Sequence, residues 1–289
     1  MKPTFPIEDT KDLALMANTI RQDLLKAIHA AGSGHPGGSL GMADIFTILY
    51  FHALQHDPKK PLWTKRDRLV LSNGHICPVL YATMAHAGYL SIDEVMTLRK
   101  MGSRVQGHPH REEIAGLETS SGPLGSGLSQ AAGMAIAAKM DDAGHTVFAL
   151  TSDGEHQEGN TWEGVMLAGK YQLDNLVQIM DRNYIQIDGN TEDVMPLDPV
   201  REKYEAFGWW VTEVDAHNYK QVMNAIDQAK NVKHKPALIV AYTVPGKGVS
   251  YMEDQYGWHG KAPSDAELEQ ALAELQDIRA QIESGTYEY

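Results

Sequence analysis

The chain is poor in cysteine, in positive charge and in long apolar runs. Cys77 is the only cysteine among 289 residues, so an internal disulfide is excluded and a cysteine-built metal site gains no support. Lys and Arg number 25 against 38 Asp and Glu, and the formal charge of −13 disfavours non-specific nucleic-acid binding. No apolar stretch reaches the roughly 18 residues of a membrane span. The opening MKPTFPIEDTKD lacks the apolar region of a secretory signal. A cytoplasmic protein with neither nucleic-acid nor membrane partners is therefore expected. Nucleotide and metal signatures are missing too. No GxGxxG stands between a first strand and a helix, there is no GxxxxGK-S/T, and no HxxH or HExxH spacing occurs.

What is present is an ordinary globular composition, 43% apolar and 22% charged, over a length that fits one large or two small domains. Residues 9–31 place Leu13, Met16, Ile20, Leu24 and Ile28 on one side of a helix that stops at Gly32. GSGHPGGSLG at 32–41 is too glycine-rich for a regular element, and Ser39 is a candidate cap for a helix over 42–52. A strand is expected at 69–71, then a helical stretch through His86, then a capping box at Ser91 and Glu94. Residues 102–123 form a long irregular region, the kind of loop that is uncommon unless it works. Residues 125–140 form a helix of small residues, suited to a subunit contact or to burial within one domain. From there strands (146–150, 176–180, 209–214, 237–242) alternate with helices (162–171, 199–207, 219–230), and a charged helical tail follows from about 262. This alternation predicts an α/β fold with a doubly wound, mostly parallel sheet, and no second domain boundary is visible.

The chemistry concentrates where strands end. Asp153 follows one strand and Asn183 the next, and parallel neighbours would bring both tips to the carboxyl edge of the sheet. A carboxylate, an amide oxygen and a backbone carbonyl are hard ligands suited to Mg²⁺ or Ca²⁺ that also holds phosphate. Gly154 lets backbone approach a phosphate closely. His35, His75, His108 and His259 each stand beside a glycine in a polar loop, a setting for phosphate contacts, hydroxyl contacts or proton transfer.

Taken together, the motifs resemble the thiamine-diphosphate-binding half of the transketolase family. They are GSGHPGGSLG (32–41), SNGH (72–75), GHP (107–109), SGPLGSGLSQAAGMA (121–135), SDGEHQEGNTWE (152–163), DRNYIQIDG (181–189) and WHG (258–260). They stand in family order across most of the chain. The resemblance implies a three-layer fold, a mostly parallel sheet between two helix layers, over a single domain spanning 1–289. It implies that Asp153, Asn183 and the carbonyl of Ile185 bind a divalent cation (Mg²⁺, or Ca²⁺ or Mn²⁺). His75, Gly154, Asn183 and His259 would then contact the diphosphate. Gly122 and Leu124 would line the pocket near the reactive centre, and Ile187 and Val244 would make apolar contacts. Glu158 would lie near the subunit interface. His35, His108 and His259 would line the donor side of the channel, with His108 on the terminal hydroxyl of the two-carbon unit.

The implied activity is transfer of a two-carbon ketol unit from a ketose phosphate to an aldose phosphate, as in pentose-phosphate metabolism. A specialised relative acting on a branched-sugar phosphate and a non-catalytic cofactor-binding subunit are the alternatives. Full-length members are more than twice this length, and their second domain supplies the glutamate that activates the cofactor. No residue here corresponds to it. A separate C-terminal-half subunit is therefore expected, in a heterotetramer with two of each chain. Arg182 departs from the acidic or polar residue common at that position. Pointing inward, it would pair with phosphate or alter metal affinity.

Overall fold

The computed structural model describes residues 6–288. Helix α1 (Thr10–Ala31) is capped by the Asp9 side chain, which accepts from Lys11 N (2.8 Å), and ends at Gly32 in the left-handed region (φ 65°). The glycine-rich stretch that follows is not irregular, as expected from its composition, but holds a short helix, α2 (Pro36–Gly41). Pro36 supplies the first-turn φ, and the missing side chains admit other backbone. A Cβ on Gly37 would lie 3.1 Å from the Trp258 carbonyl, and one on Gly41 2.9 Å from that of Val244. Ser39 sits inside this helix and donates to the His35 carbonyl (2.6 Å) instead of capping the next one. That next helix, α3 (Ala43–Ile48), continues as a π-helical turn, Leu49–Ala53.

Strand β1 (Arg68–Leu71) leads to α4 (Cys77–Ala87) and to α5 (Ile92–Val95), which opens with the expected Ser91–Glu94 capping box. Residues 102–123 contain neither helix nor strand. Then come α6 (Gly127–Met140), β2 (Val147–Ser152), α7 (Gly159–Lys170) and β3 (Leu176–Arg182). A small hairpin, β4 (Ile185–Gln186) and β5 (Gly189–Asn190), precedes α8 (Thr191–Val194) and α9 (Val200–Ala206). The chain closes with β6 (Trp210–Asp215), α10 (Tyr219–Asn231), β7 (Ala237–Tyr242) and α11 (Asp265–Ser284).

The main sheet has the order β1-β2-β3-β7-β6, all parallel. Period-two alternation splits its side chains between two cores. Phe148, Leu150, Val177 and Ile179 face α1, α3, α4, α10 and α11, while Val147, Ala149, Leu176 and Met180 face α6, α7 and α9. Right-handed crossovers explain this division. The steps β1 to β2, β2 to β3 and β3 to β6 all run one way across the sheet and put α6, α7 and α9 on one face. The step from β6 back to β7 runs the other way, so α10 lies on the opposite face. The β3–β7 boundary is where the winding reverses, and a crevice opens beyond the strand ends there. The charged α11 packs along α1, burying Ala271, Leu275 and Ile282, and the Leu275 carbonyl accepts from Asn18 Nδ2 (2.9 Å).

Candidate active site

The tips of β2 and β3 are neighbours, as the spacing predicts. Ser152 stands opposite Asp181, and Asp153 N–H donates to the Asp181 carbonyl (3.0 Å). Asp153 is fully buried. Its Oδ1 accepts from Gly154 N (2.7 Å), and its Oδ2 from Tyr184 N (2.7 Å) and Arg182 Nη1 (3.2 Å). Burial raises its carboxyl to about 6 against the opposing pull of Arg182. Asp181 on the next strand is buried as well. It accepts from the Thr243 hydroxyl and from Asn183 Nδ2 (2.9 Å), and burial followed by the charge of Asp153 raises it to about 7. Two enclosed carboxyls with raised proton affinity, beside one guanidinium, form a site that would gain from another positive charge. Asn183 Oδ1 accepts from Ile185 N (2.9 Å), which turns the chain into the hairpin.

A cavity of about 460 Å³ opens beside these tips. One wall is Asp181, Asn183, Ile185 and Ile187, and another is Gly154, Glu155 and Glu158; His35, His75, His108, His259, Gly122 and Leu124 complete the lining. The structure thus brings together all but two of the sequence-derived residues. Asp153 lies behind the wall. Val244 is half-buried outside it, its N–H donating to His217 Nε2 (2.9 Å). Leu124 and Ile187 are exposed, 37% and 71%, so the cavity is open on their side.

His35, His75 and His259 form a triangle, with ring centroids 5.0, 5.5 and 5.3 Å apart. Burial, then the neighbouring rings and Arg99, pushes His35 down to about 4. His75 is pushed well below its usual value by burial and by His259, His35 and His108. His108 is lowered by burial and Arg99, and His259 by burial. All four are therefore neutral imidazoles near pH 7, able both to donate and to accept. The buried Nδ1 of His35 has no partner within the chain, an open valence on a ring that lines the cavity.

Two acids of this site escaped the sequence reading as separate roles. Asp181 becomes legible only through the strand register that sets it against Ser152. Glu155 accepts from the Ser72 hydroxyl, Gly125 N (2.6 Å) and Ser152 N (3.3 Å), pinning three loops around the cavity. Nothing local in the sequence separates it from Glu158, which is exposed at the rim. Arg182 points inward, as one of the two readings held, but to carboxylates. Trp258 is buried against Tyr251, so the aromatic loop before His259 makes its own apolar contacts, while Tyr256 stays exposed.

Among the described residues, no group of three or more His, Cys, Asp or Glu is arranged to hold a metal. A cation here would use the mixed set of Asp153 carboxylate, Asn183 amide and Ile185 carbonyl, with ligand oxygens and water completing the shell. Such hard oxygen donors suit Mg²⁺. The donor types and the open, histidine-lined cavity fit a diphosphate held through a cation.

Paired acid-bearing tips at the carboxyl edge of a parallel sheet, facing a histidine-lined cavity, define an α/β cofactor-binding protein. The family model described as the transketolase thiamine diphosphate binding domain matches residues 13–276, and the chain belongs to the transketolase family. It is 40% identical over 269 residues to the 6-deoxy-6-sulfo-D-fructose transketolase subunit of a Clostridium species, covering 93% of this chain and 98% of that one. It is 40% identical to one chain of the two-part apulose-4-phosphate transketolase of Phocaeicola vulgatus, covering 94% of this chain and 96% of that one. Human transketolase is 40% identical over 93% of this chain, which spans only 42% of the human protein. The crystal structure of transketolase from Campylobacter jejuni superposes with a TM-score of 0.88 at 34% identity, covering 96% of this chain and 46% of that one. The expected fold and family are borne out, and the chain has the extent of a transketolase-family enzyme subunit.

Proposed function

We propose that this chain is the diphosphate-holding subunit of a split transketolase specialised for one ketose donor, a branched-sugar phosphate being the leading class. The observation that carries this reading is extent. The chain covers 96–98% of relatives named as transketolase subunits for a single sugar, and under half of the undivided enzymes. The general pentose-phosphate role is the second reading. It is favoured by the equal identity to human transketolase.

In this reading Asp153, Asn183 and the Ile185 carbonyl hold Mg²⁺, and His75, Gly154 and His259 approach the diphosphate. The bound thiamine diphosphate supplies the carbanion chemistry that breaks and makes the carbon–carbon bond. The chain's own groups orient and protonate. His108 binds the terminal hydroxyl of the two-carbon unit, and His35 and His259 exchange protons with the donor's carbonyl or hydroxyl oxygen. Neutral imidazoles at these positions can serve in either direction near pH 7. Gly122, Leu124, Ile187 and Val244 shape the cofactor's surroundings, and Glu158 at the rim reaches toward a partner. We read residues 1–289 as one domain, with α11 as part of its core, working in the cytoplasm where sugar phosphates are made and used. A separate C-terminal-half chain closes the open side of the cavity, in an assembly with two of each.

Reconstitution tests this. The chain and its candidate partner are purified separately, mixed with thiamine diphosphate and Mg²⁺, and assayed with branched-sugar and pentose phosphates. Turnover is expected only from the mixture, with the branched donor preferred. Equal turnover by the single chain would refute the split assembly, and equal use of all donors would refute the specialisation.

A further inference from the structure

One buried charge takes no part in the roles above. Arg182 ends β3 with its side chain 1% exposed, and its guanidinium serves groups from separate segments. Nη1 donates to Asp153 Oδ2 on the β2 tip (3.2 Å) and to Thr191 Oγ1 (3.1 Å). Nη2 donates to Glu192 Oε1 (2.7 Å) and lies 3.0 Å from Asp198 Oδ2. The Tyr184 ring covers the guanidinium, with its centroid 3.9 Å away. Tyr184 has a φ of 61°, a conformation a bulky side chain holds only with outside support. Its N–H is taken by Asp153, and its carbonyl accepts from Thr191 N (2.8 Å). The segment 184–191, hairpin included, therefore starts and finishes on partners of one side chain.

We infer that Arg182 is a positioning residue, a built-in cation that ties the hairpin to the β2 tip and keeps Asn183 and Ile185 in their binding arrangement before any ligand arrives. The purpose assigned to that arrangement rests on the proposed cofactor site; the clamp itself does not. An exposed ion pair would contribute little. Here the planar fork meets four acceptors out of water, a geometry that lysine cannot copy. Without it, Asp153 and Asp181 would lie buried together with their nearest positive charge gone.

Amide hydrogen exchange tests this on the full chain, with any partner that co-purifies, in the absence of divalent cation and thiamine diphosphate. Arg182→Met is expected to speed exchange across residues 183–194 by about tenfold or more, leaving α1 and β7 unchanged. Arg182→Lys should act in the same direction, because it keeps the charge and loses the fork. Mg²⁺ with thiamine diphosphate should restore most of the protection, and failure to restore it would count against the built-in cation. Unchanged exchange in that segment, or acceleration spread evenly over the chain, would overturn the inference. If Arg182→Met does not fold, Glu192→Gln decides: faster exchange confined to 183–194 supports the clamp, and none refutes it. A wild-type protein that bound no thiamine diphosphate by calorimetry would sink the cofactor reading. The ligand-free exchange comparison would still judge Arg182.

Discussion

Four imidazoles crowd one cavity, and the fold keeps them neutral. For His35 the sign of the consequence is fixed by its shift. Its value in the folded chain, about 4, lies below the ordinary 6.5, so its contribution to stability is complete above about 6.5 and is lost as pH falls toward 4. Urea unfolding at pH 7 and pH 5 should therefore show an acid loss that shrinks in His35→Asn. An unchanged loss would mean that the ring is not held neutral by its surroundings. Substrate and cofactor roles also separate at this scale. His108→Ala is expected to lower kcat/KM about 100-fold or more while leaving cofactor affinity near the wild-type value. Asp153→Asn should weaken cation-dependent cofactor binding by about 10- to 100-fold. Calorimetry and steady-state kinetics on the assembled enzyme distinguish the two.

Among the elements, α11 carries the clearest lesson. Its sequence reads as a charged tail, and most of its side chains do meet water, yet Leu275 is fully buried against α1. Leu275→Ala should destabilise the chain by about 2–5 kcal/mol, read as a lower urea midpoint at unchanged slope. A loss under ~0.5 kcal/mol would show that the helix is an appendage. Strands and long helices were legible because burial imposes a period of two or 3.6 on the residue pattern. The Asp9 and Gly32 signals at the ends of α1, and the Ser91–Glu94 box, were legible because caps are local. Helix α2 was not legible. Its glycines argue against a helix locally, and it forms because Trp258 and Val244, distant in sequence, press backbone against it. The same competition turned Ser39 from a cap into a bond within the helix.

At the scale of the whole molecule, the site is built from one edge of the sheet and left open on the side where Ile187 and Leu124 meet solvent. In the proposed assembly that side is closed by cofactor and partner. Ile187→Asp should accordingly weaken cofactor binding in the assembled enzyme by about tenfold, as a charge buried on closure would. The melting temperature of the chain alone should stay unchanged, because the residue is exposed there. A fall in that temperature with no change in binding would contradict the open-side reading. The order of apolar runs, caps and polar strand ends along the chain determined the α/β layering and marked Asp153 and Asn183, since these depend on near neighbours and on winding rules. Only the tertiary structure decided that Asp181 stands beside Asp153, that Glu155 pins three loops and that Arg182 turns inward. Each of those outcomes depends on strand register and on low-dielectric burial, and both arise from residues far apart in the chain.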